Sequence, residues 1–410
     1  MPQSIDAPAK NSSRTLPGPS VDTLRTDQIE GALQRAVSYF DSLGYQPFPF
    51  QREAWRHYLE GNSGLVNAPT GSGKTLSLLM PIALQGLIES ELQAGARKGP
   101  LGMRAIWISP IRALTKEIAS SAETTLAGLG LDWEVAIRSG DTSSSERAKQ
   151  KRRPPQILVT TPESLQLMLS SAGHAELLSK LRCVVVDEWH ELMGSKRGVQ
   201  TELALSRLRA LRPQLRVWGI SATIGNLQQG LDVLLANTVQ PERRVMVRAE
   251  VEKYTEIETV MPEEIERFPW AGHLGIAMLQ EVLPILLASS STIIFTNTRS
   301  QCEIWYQRLL AADPELAGQI AMHHGSIDRE LRDWVEDAIH TEKLKVVVAT
   351  SSLDLGVDFR PVETIVQIGS PKGVARFMQR AGRSGHRPGA TSSIYFVPTH
   401  SLELIEASAL

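Results

Sequence analysis

The sequence predicts an α/β protein that contains two parallel sheets with crossover helices. Short apolar runs alternate with longer helical patterns along the 410 residues, and this alternation is typical of parallel sheets joined by helices. Several of the runs are apolar along their whole length, as expected of strands that are covered on both faces. A segment with many charges and several prolines, residues 241–269, separates two series of runs. We therefore predict two domains, one for each series.

The elements of the two domains follow from these runs in chain order. The first series predicts strands at Ser63–Asn67, Ala105–Ser109, Glu134–Arg138, Gln156–Thr160, Cys183–Val186 and Val217–Ser221. The second series predicts strands at Thr292–Asn297, Ile320–His323, Lys345–Thr350, Thr364–Ile368 and Ser392–Phe396. Helical patterns between the strands include Leu76–Ile88, Ser300–Ala312 and Asp328–His340. We place the join near residue 245, to within about ten residues, which gives domains at 21–245 and 246–410. A polar leader rich in proline and serine, residues 1–20, is expected to be disordered.

The composition excludes several classes of protein. The 43 basic and 45 acidic side chains nearly cancel, so no global positive field favours a polyanion and any contact with nucleic acid must be local. Two cysteines are too few for a disulfide scaffold or a clustered metal site, which favours a reducing, intracellular setting. The longest apolar stretches are interrupted by proline, glutamine and glutamate, so none predicts a membrane helix. We expect a soluble, cytoplasmic protein.

A glycine-rich loop follows the first predicted strand and leads into a predicted helix. Residues 67–75 read NAPTGSGKT, and this strand, loop and helix order is the context that a phosphate-binding loop needs. Gly71 and Gly73 allow backbone N–H groups to turn toward an anion. The first glycine of the strict pattern is replaced by Ala68. A chance glycine-rich turn is the alternative, and the flanking strand and helix argue against it.

Polar side chains of this loop combine with an acidic pair elsewhere in the same predicted sheet. Lys74 can neutralise the β- and γ-phosphates of a nucleotide, and Thr75 can hold Mg²⁺ through its hydroxyl. Asp187 and Glu188 follow the apolar strand Cys183–Val186, at the end of a sheet where ligands bind. Asp187 is suited to hold Mg²⁺ through water, and Glu188 to orient the attacking water. Alone, such a pair is more often a solvated loop or a helix cap, but with Lys74 it predicts a nucleotide hydrolysis site.

The motifs resemble those of the DExH-box branch of superfamily 2 helicases. DEWH at Asp187–His190 is similar to the second motif, and Ala68 belongs to the form A-x-x-G-x-G-K-T that is usual in that superfamily. SAT at Ser221–Thr223 resembles the coupling motif, and QRAGRSGHR at Gln379–Arg387 resembles the sixth. Six further segments resemble the large helicase-related (Lhr) group, most of all its bacterial ligase-associated subgroup. They are Phe48–Trp55, Ile108–Leu114, Thr160–Leu165, Glu266–Gly275, Phe295–Gln307 and Ala349–Asp358. The resemblance covers nearly the whole chain after residue 40 and implies two tandem RecA-like domains of the P-loop NTPase class.

The resemblance also implies roles for residues around the nucleotide. Gln51 is similar to the glutamine that reads the adenine edge, which implies ATP rather than GTP as the cofactor beside Mg²⁺. Asp358 is similar to the aspartate that contacts the ribose and bridges the two lobes. Arg380 and Arg383 are similar to arginine fingers, which come from the second lobe and stabilise the transition state when the lobes close. The coupling residues implied in the same way are His190, Ser221 and Thr223.

A nucleic-acid strand is the second ligand that the resemblance implies. The positions similar to strand contacts in the first lobe are Ser109, Arg112, Arg138, Ser139, Gly140, Asp141, Thr161 and Glu163. Those in the second lobe are Asn297, Thr298, Arg299, His324, Gly325, Ser326, Thr350 and Ser351. Most offer hydroxyls, backbone N–H groups or single cations, which suit phosphate oxygens and carry no base readout. Binding should therefore be independent of sequence and sensitive to salt. For each position a local cap or turn is the alternative, above all for Ser164 and Ser326.

The function that these motifs predict is an ATP-dependent nucleic-acid motor. The resemblance implies a DNA helicase or translocase that moves 3′-to-5′ on single-stranded DNA, acts as a monomer and serves DNA repair. An RNA helicase of the same superfamily, acting on RNA or an RNA:DNA hybrid, is one alternative. A non-hydrolysing nucleic-acid-binding scaffold is the other, and an intact set of Lys74, Asp187, Glu188 and both arginines argues against it. Members of the group continue past the sixth motif into further domains, so we expect this chain to hold the two-lobe motor without its C-terminal domains.

Two further signals are predicted to be structural. Trp305 and Trp334 lie at helical spacing among leucines and isoleucines and are predicted to lie in the core rather than to stack on bases. His323 and His324 are adjacent at the end of a predicted strand, so their side chains should point in opposite directions and share no metal.

Overall fold

The computed structural model describes residues 24–69, 71–92, 101–222, 225–236, 238, 240–250, 255–261, 275–354, 362–371, 373–384, 392–400 and 402–408. The predicted leader and the predicted site residues Thr223 and Asp358 lie outside these described residues.

The first lobe is a parallel sheet between two layers of helices. Its strands are β1 (Ser63–Asn67), β2 (Ala105–Ile108), β3 (Val135–Arg138), β4 (Ile157–Thr160), β5 (Cys183–Val186), β6 (Arg216–Ser221) and β7 (Arg244–Arg248). Within the described residues these seven strands lie in the order β3-β4-β2-β5-β6-β1-β7, and every neighbouring pair is parallel. The helices are α1 (Thr26–Ser42), α2 (Pro49–Leu59), α3 (Leu76–Leu92), α4 (Arg112–Gly128), α5 (Ser144–Arg152), α6 (Pro162–Leu169), α7 (His174–Leu177), α8 (Trp189–Leu192), α9 (Lys196–Leu211) and α10 (Leu227–Leu234).

The second lobe repeats this plan with fewer strands. Its strands are β8 (Thr255–Thr259), β9 (Thr292–Phe295), β10 (Ile320–His323), β11 (Val346–Ala349), β12 (Thr364–Ile368) and β13 (Ser392–Val397). In the part of the chain that the structure describes, the six strands are parallel and follow the order β10-β11-β9-β12-β13-β8. The helices are α11 (Leu279–Ala288), α12 (Arg299–Ala312), α13 (Arg329–His340), α14 (Val374–Ala381) and α15 (Leu402–Ala407). The predicted fold class of two parallel α/β sheets is confirmed.

Side chains of each central strand enter two separate cores. In β5, Cys183 and Val185 pack into one core of the first lobe, whereas Val184 and Val186 pack into the other. Successive side chains of a strand point to opposite faces, so a strand buried on both faces must be apolar at every position. This is why the continuous apolar runs locate the central strands.

The edge strands β7 and β8 lie in the segment that the sequence presents as a join. β7 pairs with β1 in the first sheet, and β8 pairs with β13 in the second. Both strands contain charged residues, in the sequences RVMVR and TEIET, because an edge strand is only partly covered; the search for wholly apolar runs therefore missed both. The predicted boundary at 245 falls inside β7, and β8, in the second sheet, begins at Thr255; the domain bounds stay a prediction.

One predicted core tryptophan is on the surface. Trp305 on α12 is fully buried, but Trp334 on α13 is 51% exposed. Helix α13 buries Val335, Ala338 and Ile339, and these residues face a different direction from Trp334. The prediction for Trp334 is wrong because helical spacing alone does not identify which face of an amphipathic helix is buried.

Among the helices that the structure describes, none combines the length and the apolar character that a bilayer crossing needs.

Candidate active site

The glycine-rich loop connects the end of β1 to the start of α3. Gly71 and Gly73 have φ values of 80° and 72°, in the left-handed region that residues with a Cβ adopt only under strain. Ala68 is buried, and its N–H donates to the carbonyl of Ser221 at 3.1 Å. Among described residues other than glycine, positive φ occurs at Glu188 and Glu342. The backbone at Ala68 therefore has no need of the glycine found in the strict motif.

Gln51 contacts this loop directly. Its Oε1 accepts the N–H of Phe48 at 2.9 Å, and its Nε2 donates to the carbonyl of Gly73 at 3.0 Å. A Cβ at Gly73 would lie 2.8 Å from that Nε2, so glycine is needed there for space as well as for its backbone conformation. The structure thus brings Gln51 to the nucleotide loop, with both ends of its amide bound to protein groups.

Lys74 and Glu188 face each other across the loop. Their Nζ and Oε1 atoms are 3.6 Å apart, and the two side chains are 8% and 11% exposed. Among the described residues, neither Lys74 Nζ nor Glu188 Oε2 has a hydrogen-bond partner. Burial opposes ionisation of Glu188, but the positive charges of Lys74, His190 and Arg383 outweigh it and lower the pKa of this carboxyl. The loop therefore presents a buried ammonium group that has no hydrogen-bond acceptor of its own.

Asp187 is held by a tryptophan that the sequence analysis missed. The indole N–H of Trp107, in the middle of β2, donates to Oδ2 of Asp187 at 3.1 Å, and the backbone N–H of Glu188 donates to Oδ1 at 2.9 Å. Burial, together with the negative charge of Glu188, raises the pKa of Asp187 to about 7. A buried tryptophan usually finds an acceptor for its N–H, and this is the only signal in the sequence that could have indicated the contact.

The carboxyl and hydroxyl groups here fit a magnesium nucleotide. Thr75 on the loop and Asp187 after β5 offer oxygen ligands, and the Lys74 ammonium, which has no hydrogen-bond acceptor among the described residues, offers a cation for phosphate oxygens. No group of three or more His, Cys, Asp or Glu side chains that could hold a metal ion occurs among the described residues. Mg²⁺ commonly binds through one or two carboxylates and through substrate phosphates, keeping several waters, so this sparse donor set is suited to it.

His190 and Ser221 connect the acidic pair to the end of β6. His190 Nδ1 lies 3.1 Å from Ser221 Oγ and 3.4 Å from Glu188 Oε2. Asn67, which the sequence analysis did not select, donates from Nδ2 to the carbonyl of Ser221 at 3.4 Å and also to that of Ala222. The nucleotide loop, the acidic pair and the predicted coupling serine therefore form one connected group of side chains.

The two predicted arginine fingers have different surroundings. Arg380 donates from Nε and Nη2 to the two oxygens of Asp354 at 2.7 and 3.0 Å, and from Nη1 to Gln367 at 2.6 Å. Its guanidinium also lies over the ring of Phe295, 4.7 Å from the centroid. Arg383 donates to the carbonyl of Asp354 at 2.9 Å, and its charge helps to lower the pKa of Glu188. The charge of Arg383 therefore contributes to the electrostatics of the acidic pair, whereas the described hydrogen bonds of Arg380 lie within its own lobe.

Several predicted strand contacts are buried and engaged locally. Ser109 is fully buried and donates to the carbonyl of Ile111 at 3.0 Å. Thr161 is 3% exposed and caps α6 by accepting the N–H of Ser164 at 3.4 Å. Their side chains have almost no exposed surface, so contact of these two hydroxyls with a strand stays a prediction. For Ser164, the alternative to a strand contact is a local cap, and its N–H takes part in this cap.

The loop after β3 brings four other predicted contacts together. Arg112 donates to Asp141 at 2.9 Å, and a Cβ at Gly140 would lie 2.6 Å from Nη2 of Arg112. The hydroxyl of Ser139 accepts the N–H of Asp141 at 3.3 Å. Arg147, which the sequence analysis missed, donates to the carbonyls of residues 139 and 140 at 3.1 and 3.2 Å. The loop is therefore braced by two guanidinium groups.

Two more arginines lie beside this loop and its neighbour. Burial and the positive charge of Arg147 lower the pKa of the predicted contact Arg138. Arg197, another residue that the sequence analysis missed, donates from Nε to Glu163 at 2.6 Å and from Nη1 to the carbonyl of Pro110 at 2.8 Å. Arg197 therefore joins two segments of predicted strand contacts that are far apart in the sequence.

In the second lobe, the predicted contacts cluster at the carboxyl ends of β9, β10 and β11. Thr298 caps α12 by accepting the N–H of Gln301 at 3.2 Å. Asn297 donates to the carbonyl of Ser370 at 2.8 Å. Arg299 is bound to Glu303 at 2.8 Å, and Glu303 also lies 3.7 Å from His324. This end of the sheet combines a helix start with a mixed set of charges.

The remaining predicted contacts lie on the loops after β10 and β11. Nδ1 of His324 accepts the N–H of Ser326 at 3.3 Å, with Gly325 between them. Ser351 is exposed, whereas Thr350 lies 3.4 Å from the hydroxyl of Ser352. The buried His323 binds Ser352 at 2.7 Å and Glu336 at 3.1 Å, so the two adjacent histidines have separate partners.

Comparisons with known proteins identify both lobes. Residues 48–229 match the DEAD/DEAH box helicase family, and residues 276–388 match the helicase conserved C-terminal domain. The ATP-dependent helicase Lhr-Core of Methanothermobacter thermautotrophicus is 36% identical over 374 residues, which is 88% of this chain and 43% of that protein. The Lhr helicase/uracil glycosylase of Escherichia coli is 33% identical, over 89% of this chain and 27% of that protein. The chain thus spans less than half the length of these curated relatives.

Solved structures agree with this relationship. Lhr helicase of Mycobacterium smegmatis, bound to single-stranded DNA and AMP-PNP, is 31% identical with a TM-score of 0.72, over 93% of this chain and 48% of that chain. The DUF1998 helicase MrfA, bound to DNA and AMPPNP, shares the fold with a TM-score of 0.74 at 22% identity, over 94% of this chain and 52% of that chain. The motifs at the loop, the acidic pair and the arginines, set on two RecA-like lobes, agree with these matches: the chain belongs to the Lhr group of ATP-dependent DEAD/DEAH box helicases.

Proposed function

We propose that this chain is an ATP-driven motor that moves 3′-to-5′ along single-stranded DNA and can separate strands as a helicase. The first lobe, residues 21–245 with the rest of β7, binds the nucleotide. The second lobe, which begins at β8 and ends at residue 410, supplies the charge that completes the active site. The direction of movement, a monomeric motor, further C-terminal domains and a role in DNA repair are proposed from the family resemblance.

The observation that carries the proposal is the buried pair of Lys74 and Glu188. Charged groups this deeply buried normally have several hydrogen bonds, yet Lys74 Nζ and Glu188 Oε2 have none among the described residues. A nucleotide with its β- and γ-phosphates at Lys74 supplies the missing acceptors. Glu188, kept ionised by its cationic neighbours, is then free to orient a water for attack on the γ-phosphate. Thr75 and Asp187 would hold the Mg²⁺ that neutralises charge on the phosphates.

Arg383 and Arg380 have separate roles in this proposal. Arg383 acts as the arginine finger, because its positive charge already reaches Glu188 from the second lobe. Arg380 positions the sixth motif through its bonds to Asp354 and Gln367. This assignment revises the catalytic role that the resemblance implies for Arg380.

Nucleic acid lies across the carboxyl ends of both sheets in this proposal. The groups with exposed surface there, Arg112, Arg299 and Ser351, can reach phosphate oxygens. Ser109 and Thr161 support the loops instead. The related Lhr helicase of Mycobacterium smegmatis has been solved with single-stranded DNA and AMP-PNP, which supports a single strand and ATP as the ligands of this chain.

ATP hydrolysis measured with no nucleic acid, with single-stranded DNA and with single-stranded RNA of the same sequence tests the proposal. We expect Mg²⁺-dependent turnover that DNA stimulates more than RNA and that added salt weakens. Stimulation by RNA alone would favour the RNA helicase. Strand binding without turnover would favour the scaffold and contradict the proposal.

The direction of movement needs a separate measurement. Single-stranded DNA carrying streptavidin on a biotin at its 5′ or its 3′ end distinguishes the two directions, because a motor displaces the block that it reaches. We expect displacement from the 5′ end, where a 3′-to-5′ motor arrives. Displacement from the 3′ end alone would contradict the proposed direction.

A further inference from the structure

A cavity of about 250 Å³ lies on the edge of the first sheet opposite the nucleotide loop. Its lining comes from the starts of four adjacent strands, with Leu181 and Arg182 before β5, residues 212–216 up to β6, Gly61 and Ser63 at β1, and Thr238, Gln240 and Arg243 before β7. Parallel strands begin at one edge of a sheet and end at the other, and the nucleotide loop follows the end of β1. The cavity is therefore separate from the candidate active site.

The lining of this cavity is strongly basic. Among the described residues that form it, the arginines are Arg182, Arg209, Arg212, Arg216 and Arg243, and none is Asp or Glu. Arg182 contacts Glu89 at 2.9 Å, and Arg216 donates to Gln85 at 2.7 Å. These two arginines are bound by side chains of α3. The other three add positive charge to a wall that contains no acidic residue among its described members.

Arg209 on α9 is the residue that points to a ligand. It is 6% exposed, and its Nη2 has no hydrogen-bond partner among the described residues. Burial, together with the positive charge of nearby Arg244, lowers the pKa of Arg209 to about 10. The hydroxyl of Thr238, in the same wall, also lacks a partner in the described part of the chain. Buried polar atoms are usually hydrogen-bonded, so this guanidinium and this hydroxyl can bind an acceptor that enters the cavity.

Gly61 leaves room for a further guanidinium in this wall. Its φ is +91°, and a Cβ there would lie 2.8 Å from Nη1 of Arg243. Any larger residue would therefore push Arg243 away from the cavity. The chain thus places Arg243 and Arg209 around one space.

We propose that this cavity binds a phosphoryl group, as a second anion site distinct from the nucleotide loop. Guanidinium groups form paired, charge-assisted hydrogen bonds with phosphate oxygens, and a phosphoryl group offers enough oxygens to satisfy Arg209, Thr238 and Arg243 together. Carboxylates offer fewer acceptors to so many donors. A small free polyphosphate and the phosphate of a nucleic-acid strand are the two sources of such a group, and binding experiments distinguish them.

Titration calorimetry with pyrophosphate tests the proposal in the Lys74→Ala chain, which lacks the cation of the nucleotide loop. We expect pyrophosphate to bind, and Arg209→Gln or Arg243→Gln in the same background to weaken its affinity about tenfold. Arg207→Gln is the matched control, because Arg207 is exposed on the same helix and does not line the cavity; its affinity should not change. Absence of binding, or an affinity in both cavity variants equal to that of the Lys74→Ala parent, would overturn the proposal.

Thermal unfolding separates a lost ligand site from a damaged fold. Arg209→Gln removes a buried charge that lacks an acceptor, so the variant should unfold at the same or a higher temperature than the parent without phosphate. Added pyrophosphate should raise the unfolding temperature of the Lys74→Ala parent and leave that of the Arg209→Gln variant in the same background unchanged. A variant that still gains stability from pyrophosphate would contradict the assignment of Arg209.

Binding of single-stranded DNA identifies the source of the phosphoryl group. If a strand supplies it, Arg209→Gln should weaken DNA affinity, and pyrophosphate should compete with DNA in the parent. If a free polyphosphate supplies it, DNA affinity should be the same in both chains while the loss of pyrophosphate binding remains. Each result supports the phosphoryl site and assigns its occupant.

Discussion

The two lobes treat their buried charges in opposite ways. In the first lobe, Lys74 and Glu188 are 3.6 Å apart and lack hydrogen bonds at Nζ and Oε2 among the described residues. In the second lobe, Arg380 makes three hydrogen bonds to Asp354 and Gln367. A charged group whose hydrogen bonds are all made by the protein stabilises a conformation, whereas a buried one with unused hydrogen-bonding atoms is available to a ligand. The comparison therefore predicts which of these charges act in catalysis and which support the fold.

The largest effect should follow loss of the available cation. Lys74→Ala removes the ammonium group from the β- and γ-phosphates, and we expect ATP turnover to fall by about a thousandfold, at the upper end of effects for single charge-stabilising groups. Lys343→Ala, which removes an exposed lysine of the second lobe, is the control and should be unchanged. Turnover near the parent rate in Lys74→Ala would show that the buried pair is not the nucleotide site.

Loss of Arg380 should lower the stability of the second lobe. Arg380→Ala leaves Asp354 buried, and its remaining ion-pair partner among the described residues is Arg376, at the longer distance of 3.6 Å. We expect the free energy of unfolding of the second lobe to fall by about 3 kcal/mol. Denaturant unfolding measures this change. A double variant, Arg380→Met with Asp354→Leu, removes both charges and should recover most of the loss. If Arg380→Ala is as stable as the parent and lowers only turnover, Arg380 is a finger after all.

Loss of Arg383 should lower ATP turnover rather than stability. Arg383→Ala removes a charge that acts on the catalytic pair, and we expect kcat to fall by about a hundredfold while nucleotide affinity is retained. Binding of a fluorescent nucleotide, measured apart from turnover, makes the distinction. Equal losses of affinity and turnover would point to damage in the second lobe instead.

The smallest effect concerns a residue that only supports the strand contacts. Arg197→Ala breaks the link between Glu163 and the carbonyl of Pro110, so the two loops lose a brace but keep their other contacts. We expect single-stranded DNA to bind severalfold more weakly, with basal ATP turnover unchanged, because one partly exposed ion pair contributes about 1 kcal/mol or less. Unaltered DNA affinity would show that the loops hold their positions without it.

The sequence predicts most of the fold because the central strands are buried on both faces. Runs such as CVVV and VVVA have no other explanation at that length. The edge strands β7 and β8 could not be found in the same way, because a strand that is covered on one side retains polar residues. Trp334 shows the same limit for helices, since spacing indicates an amphipathic helix without fixing which residues face inward.

The candidate site was predictable where a motif has a fixed spacing. Lys74, Asp187 and Glu188 lie on loops after adjacent or nearby parallel strands, and such loops meet at one edge of the sheet. Trp107, Asn67, Arg147 and Arg197 were missed because their partners depend on the folded chain. Arg197, for example, binds a carbonyl 87 positions away. No periodicity or motif records a contact of that kind.

The pairing of β8 with β13 has a consequence for the nascent chain. The first sheet is complete once β7 has reached β1, whereas β8 receives its neighbour only after residues 392–397 have left the ribosome. Domains tend to fold in order of synthesis, so β8 must wait as a single strand beside a finished lobe. A waiting strand is a template for mispairing, but β8 carries glutamates at alternate positions. If two unfinished chains paired through β8, these glutamates would come close together. We expect their repulsion to disfavour aggregation of the unfinished chain during translation.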